Sequence, residues 1–229
     1  MTTQETTKIS SKPAKAEPEY AIALAREDIN ALPISRYDGG VTLVRGEDGC
    51  AEACDRLRRE AVLGFDTETR PSFRKGESYL PSLIQLAGTE HVYLFQLIEH
   101  EIPAPLQALL GDATVLKTGV SLDYDLKQLR QLADFEPAGF VSLEPLAKAL
   151  RIKNQGLRGL AAALFGFRIS KKAQCSNWSR RELTDVQINY AATDAWISLR
   201  LYQELMKRIE AEGVSIPTPA PRGPRAVGA

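Results

Sequence analysis

Cysteine is scarce in this 229-residue chain, which holds only Cys50, Cys54 and Cys175. An odd count at uneven spacing excludes a disulfide framework and fits a reducing compartment. Cys50 and Cys54 stand one helical turn apart, but neither His91 nor His100 is near enough in sequence to complete a zinc set, so both read as helix-packing residues. Long hydrophobic runs are also missing: the longest nearly unbroken one, residues 160–167, is far short of the roughly 20 residues a membrane helix needs. The opening Met-Thr-Thr-Gln-Glu-Thr-Thr-Lys lacks the apolar centre of a signal peptide. The expectations are a cytoplasmic location and no membrane partner. Neither Gly-x-Gly-x-x-Gly nor Gly-x4-Gly-Lys occurs, which removes the glycine-loop nucleotide binders. Charge of one sign is not in excess either, because 29 Lys+Arg balance 29 Asp+Glu. That balance argues against a protein that coats polyanions by bulk electrostatics.

What remains is an ordinary globular composition, with 44% apolar and 25% charged residues, enough for one domain of roughly 150–200 residues. Residues 1–19 are rich in Thr, Lys, Glu and Pro and read as a disordered tail. Residues 20–37 are a lead-in of mixed character with no clear element. The proline-rich stretch within 215–229 reads as an extended C-terminal tail. The folded unit is expected over 38–214. Apolar patterning predicts strands at 41–44, 61–66, 83–87, 91–95 and 114–117, the third and fourth joined as a hairpin through Gly88-Thr-Glu. Helices are expected near 48–59, 104–110, 121–133, 143–151, 157–164 and 184–211, with an apolar piece near Phe140. Strands followed by alternating strands and helices imply an α/β domain with a mixed sheet.

Two features carry chemistry. In Gly64-Phe-Asp-Thr-Glu68, Asp66 and Glu68 are two residues apart at the end of an apolar strand and therefore share one face. Carboxylates held that close repel, and a hard divalent cation between them removes the penalty. A second Asp-x-Glu, Asp134-Phe-Glu136, trails a helix into Pro137 and reads as solvated loop. The long C-terminal helix has a marked start, since Thr184 and Gln187 match the reciprocal capping pattern. That start places Tyr190 and Asp194 on one helix face. Asp125 falls in the first turn of the helix that follows the 114–117 strand.

Phe65-Asp-Thr-Glu, Ser82-Leu-Ile-Gln-Leu, Lys117-Thr-Gly-x5-Asp125-Leu and Asn177-Trp-Ser-Arg-Arg-x-Leu-Thr-x-x-Gln-x-x-Tyr190-Ala-Ala-Thr-Asp194 occur in that order. Together they resemble the three exonuclease motifs of the DEDD superfamily in its tyrosine variety, as in ribonuclease D and the Werner-syndrome-type exonuclease domain. The resemblance covers about residues 41–210. It implies a ribonuclease H-like fold, a five-stranded mixed sheet flanked by helices. It also implies a metal-dependent 3′-to-5′ exonuclease that hydrolyses phosphodiester bonds at single-stranded or frayed 3′ ends of DNA or RNA and releases nucleoside 5′-monophosphates. Carried over by motif, Asp66 would bridge two divalent ions, Mg²⁺ or Mn²⁺. Glu68 and Asp194 would complete one site and Asp125 would serve the other, with Asp123 a close competitor for that role. Tyr190 would hold the attacking water. Two cations about 3.5–4 Å apart stabilise the attacking and leaving oxygens of an in-line displacement. The alternatives are a binding module of the same fold without catalysis and an RNA-specific ribonuclease D-like processing enzyme. The short stretch after residue 211 cannot form an additional helical domain, so a stand-alone exonuclease domain is expected.

The neutral total hides an uneven distribution. Between Lys148 and Arg181 there are nine basic residues and no Asp or Glu, so the rest of the chain carries −9. A phosphate backbone lying against that segment would account for it. Thr67, Trp178 and Arg180 are the candidate substrate-binding residues near the acids, Arg180 as a phosphate clamp and Trp178 either stacking on a base or packing internally.

Overall fold

A computed structural model of the chain describes residues 20–72, 74 and 76–216. The tail expected at 1–19 lies outside these residues, as does the tail expected at 215–229 from residue 217 onward. The expected mixed α/β architecture is present with one more strand than the sequence suggested. Six strands, β1 (Gly40–Val44), β2 (Val62–Thr69), β3 (Pro81–Ala87), β4 (His91–Gln96), β5 (Leu116–Gly119) and β6 (Phe140–Ser142), form one sheet in the order β1-β4-β3-β2-β5-β6. The added strand is the apolar piece at Phe140. It pairs parallel with β5, and its Phe140 ring meets Phe65 edge-on at 5.1 Å between centroids. Three residues are too few to display the alternation by which strands are recognised. The β3–β4 hairpin forms where expected, closed by Gly88 N–H donating to the His91 carbonyl at 2.9 Å.

The described residues also form seven α-helices: α1 (Arg26–Ala31), α2 (Glu47–Leu57), α3 (Ala104–Leu110), α4 (Leu122–Leu129), α5 (Leu143–Ala149), α6 (Leu157–Phe165) and α7 (Asp185–Glu212). The alternation of β2 decides which layer each side chain joins. Leu63 and Phe65 enter a core with α2, α3 and α4. Gly64, Asp66 and Glu68 point to the other face, where α7 lies across the strand. Gly64 has a specific reason to be glycine: a Cβ there would overlap the Ala195 carbonyl oxygen of α7. Small residues on the helix, Ala191, Ala192 and Ala195, complete this close approach and are fully buried. Because the helix sits so near the strand, its Asp194 is brought against the carboxylates at the strand's end.

Residues 20–37, unassigned from sequence, form a strap carrying α1. Backbone bonds tie Ala21 to Arg151 and Lys153 to Ile22, both at 2.9 Å, and Ser35 to Arg168 at 2.9 Å. The Asn154 side chain holds Leu24 through both its amide groups, at 2.8 and 3.0 Å. At the strap's end Tyr37 N–H donates to Thr193 Oγ1 on α7 at 3.0 Å.

Candidate active site

Asp66, Thr67, Glu68, Asp125, Tyr190 and Asp194 all line one cleft of about 910 Å³. Asp66 and Glu68 come from β2, Asp125 from the first turn of α4, and Tyr190 and Asp194 from successive turns of α7. The cleft opens where the α4 layer and the α7 layer meet around the end of β2. Thr67, on the face opposite Asp66, bridges the two layers: its hydroxyl donates to Asp125 Oδ1 at 2.7 Å, while its backbone N–H donates to Asp66 Oδ1 at 2.9 Å. Asp125 therefore lines the cleft, whereas the competing Asp123 is exposed and does not. The second Asp-x-Glu stays at the surface, with Glu136 paired to Arg130 at 2.6 Å.

The capping pattern that announced α7 forms as expected. Gln187 N–H donates to Thr184 Oγ1 at 3.3 Å, and Thr184 N–H donates to Gln187 Oε1 at 3.1 Å. The same glutamine amide donates to the Ser176 hydroxyl and the Asn177 carbonyl, at 3.1 and 3.2 Å. These bonds hold the preceding loop so that Trp178 packs against Tyr190, ring centroids 6.0 Å apart. Trp178 is fully buried, so of its two sequence readings packing is the one realised, and no ring face is left for a base. Arg180 is exposed, and its backbone carbonyl accepts from the Gln96 amide at 2.8 Å. It is not among the residues that line the cleft.

The electrostatics of the acids have one direction. Burial and the neighbouring Asp194 and Asp125 charges hold the Asp66 carboxyl well above the usual carboxylate range. Burial and Asp66 push Glu68 up to about 10, and burial pushes Asp194 up to about 7. Asp125 is raised by burial and held back by its Thr67 bond. The Tyr190 phenol hydrogen-bonds the Asp194 carboxylate; burial first and then the Asp194 charge raise its pKa, so it keeps its proton. Asp194 Oδ1 is buried with no protein partner among the described residues. Buried polar atoms are nearly always satisfied, so an orphaned carboxylate oxygen amid further carboxylates marks a place for a cation. An all-oxygen donor set suits hard divalent ions. Among the described residues no three His, Cys, Asp or Glu side chains already stand in an arrangement that could hold one ion, so an ion bound here must draw the acids closer or take its missing ligands from water and substrate phosphate.

The sequence of the chain matches the 3′-5′ exonuclease family over residues 41–210. The chain belongs to that family. Members of the family work with divalent metal ions. The chain is 36% identical over 163 residues to ribonuclease D of Gluconacetobacter diazotrophicus, covering 69% of this chain and 40% of that protein. It is 32% identical over 184 residues to the bifunctional 3′-5′ exonuclease/ATP-dependent helicase WRN of Mus musculus, covering 76% of this chain and 13% of that protein. The chain thus spans less than half the length of either relative. Among solved structures, Escherichia coli RNase D superposes with a TM-score of 0.68 at 26% identity, over 76% of this chain and 46% of that one. The Aedes aegypti Nibbler EXO domain superposes with a TM-score of 0.69 at 23% identity, over 81% of this chain and 95% of that one. These place the sheet in the ribonuclease H-like fold of the exonucleases. Among the described residues no helix is long and apolar enough to cross a membrane.

Three features escaped sequence reasoning. Arg26 and Asn30 of the strap line the cleft, although nothing in residues 20–37 resembles a motif. Gln85 on β3 lies directly across from Asp66, fully buried, with both amide atoms unpartnered among the described residues. Its signal was a lone polar residue inside Leu-Ile-Gln-Leu. Lys117, quoted only as part of a motif, is a buried cation held by three carbonyls.

Proposed function

We propose that this protein is a metal-dependent 3′-to-5′ exonuclease that removes nucleoside 5′-monophosphates from the single-stranded or frayed 3′ end of RNA or DNA. The observation that carries the reading is the convergence of four desolvated carboxylates and a protonated tyrosine on one cleft whose rim is basic. Asp66, Glu68 and Asp194 would hold one divalent ion, and Asp66 with Asp125 a second, Mg²⁺ or Mn²⁺. Bound there, the ions would supply charge stabilisation for the attacking and leaving oxygens of the phosphodiester. Thr67 fixes Asp125 and so sets the spacing of the carboxylates across the two layers. Tyr190 keeps its proton and acts by orienting the water toward phosphorus through its hydroxyl, with the buried Trp178 ring holding the phenol in place. Lys171 and Lys172 on the cleft rim draw the negatively charged strand toward the acids.

Relatives named ribonuclease D favour RNA as the first substrate to test. A strand labelled at its 5′ end, as RNA and as matched DNA, should shorten stepwise from the 3′ end in Mg²⁺ or Mn²⁺ with mononucleotide release. No shortening, or shortening that survives Asp66→Ala, contradicts the proposal. Tyr190→Phe should lower kcat by about a hundredfold with little change in KM. An unchanged kcat would remove Tyr190 from the chemistry.

A further inference from the structure

The strap lies outside the stretch that matches the exonuclease family, residues 41–210, yet it forms part of the cleft wall through Arg26, Ile29, Asn30 and Ile34. It brings Arg26 of α1 beside Arg158 of α6 and Arg168 of the following loop. All three arginines line the cleft. Two of them are fixed by the strap itself. Arg158 donates through Nη1 to the Ile169 carbonyl and through Nη2 to Asn30 Oδ1 at 2.8 Å. Arg168 donates through Nε to the Leu32 carbonyl at 2.9 Å. The guanidinium groups are thereby held in position on neutral partners. Among the described residues no carboxylate lies within ion-pair distance of Arg26, Arg158 or Arg168.

Three like charges gathered in one wall without a counter-charge repel one another. The repulsion is felt at Arg158, whose proton is held less tightly because of burial first and then the charges of Arg168 and Arg26. The trio does not serve to neutralise the catalytic acids. Of the cleft's cations, Lys171 is the one whose charge bears on one of those acids, Asp194; Asp66 and Glu68 respond first to burial and then to neighbouring acids, and Asp125 to burial and its Thr67 bond. An anion that enters the cleft while another part of the same molecule occupies the acids would relieve the repulsion. A nucleic-acid strand is such a molecule, with a phosphate at every linkage.

We propose that Arg26, Arg158 and Arg168 form a subsite for a backbone phosphate of the substrate strand lying 5′ to the bond being cut, with the 20–37 strap as its outer wall. This rests on the exonuclease reading above and adds to it a residue-level account of strand length preference. Planar guanidinium groups suit phosphate oxygens, and their rigid anchoring lowers the entropy lost on binding.

Arg26 is the clean test because it is exposed and, unlike Arg158 and Arg168, anchors no part of the strap. Steady-state constants are compared for a long single strand and for a bare dinucleotide, which has no phosphate beyond the scissile one. Arg26→Ala should raise KM for the long strand about three- to tenfold at low salt. It should raise KM for the dinucleotide much less, and the salt dependence of log KM should become shallower by about 0.7. Arg36→Ala, an exposed strap arginine outside the cleft, should leave both constants unchanged. Equal effects of Arg26→Ala on the two substrates, an effect on neither, or an equal effect of Arg36→Ala overturns the subsite while leaving the exonuclease reading intact. Wild-type protein that shortens no strand overturns both.

Discussion

Lys117 and the Asp66 cluster are both charge taken out of water, on neighbouring strands of one sheet, and they are treated in opposite ways. Lys117 is fully buried. Its ammonium donates to the Leu109, Asp112 and Val115 carbonyls at 3.3, 2.7 and 2.8 Å and lies 5.0 Å from the Phe140 ring centroid. An ammonium has three donors, and here each has an acceptor. The acids have the reverse arrangement. Four carboxylates crowd together, and among the described residues one oxygen of Asp194 has no partner and no buried lysine or arginine offsets them. A buried charge satisfied by its own backbone is a structural element that ties α3 and the turn after it to β5. A buried charge left unsatisfied costs stability, and the fold retains it because something else binds there.

Breaking the acid centre should therefore separate activity from stability. Asp194→Asn keeps the side-chain shape and removes one of the repelling charges. Hydrolysis should fall by about a thousandfold, while the metal-free protein melts at a higher temperature than wild type. A variant that is both inactive and less stable would show that the carboxylate holds the fold together and would erase the contrast. A smaller effect is expected one contact away. Thr67→Val removes the bond to Asp125 and should raise the metal concentration for half-maximal rate about tenfold, measured by titrating Mg²⁺ against initial rate. An unchanged metal requirement would mean that Asp125 is positioned by its helix alone.

The lysine centre should respond in the opposite sense. Lys117→Met takes the ammonium from three carbonyls, of which Leu109 still accepts from the Asp112 N–H at 3.2 Å, and should destabilise the protein by about 2–3 kcal/mol in denaturant unfolding. The rate per folded molecule should stay within about twofold of wild type, a range smaller than any catalytic contribution. Loss of rate in the folded fraction would move Lys117 into the functional site. Its pH signature also differs. Burial lowers its pKa to about 8 from an ordinary 10.5. Between those values the unfolded chain holds a proton that the folded one has released, so the Lys117 contribution to stability rises with pH there.

The parts of the molecule that sequence displayed are those governed by local rules. Asp66 and Glu68 share a face because strands alternate, and Tyr190 and Asp194 share one because helices turn. Thr184 and Gln187 marked the start of α7 because a capping box is a local hydrogen-bond exchange. Gly64 was visible in the motif, but its reason was not: the crowding comes from Ala195 on another element. The same holds for the strap, whose hydrogen bonds reach residues as far off as Arg168 and leave no periodic trace in a six-residue helix. Trp178 shows the limit from another side. Its place next to basic residues left stacking and internal packing both open, and the Gln187 amide draws its loop inward and buries the ring. The +9 segment divides in the same way: Arg158, Arg168, Lys171 and Lys172 reach the cleft, and the remaining five cations do not line it.

The contrast between the two centres rests on the acids being destabilising until cations arrive, and thermal unfolding against pH with and without divalent metal addresses it most directly. Each of Asp66, Glu68, Asp125 and Asp194 binds its proton more tightly in the folded than in the unfolded protein. The folded state then carries more protons, and its stability must fall as pH rises. The window opens near the ordinary carboxylate values and runs past about 7 for Asp194 and toward about 10 for Glu68. Metal-free wild-type protein should lose melting temperature steadily from about pH 5 to about pH 8. Saturating Mg²⁺ or Mn²⁺ should restore it and flatten the profile, and Asp194→Asn should show both a weaker pH dependence and a weaker response to metal. A metal-free melting temperature that holds level or rises over that range, with no response to either ion, would contradict the account.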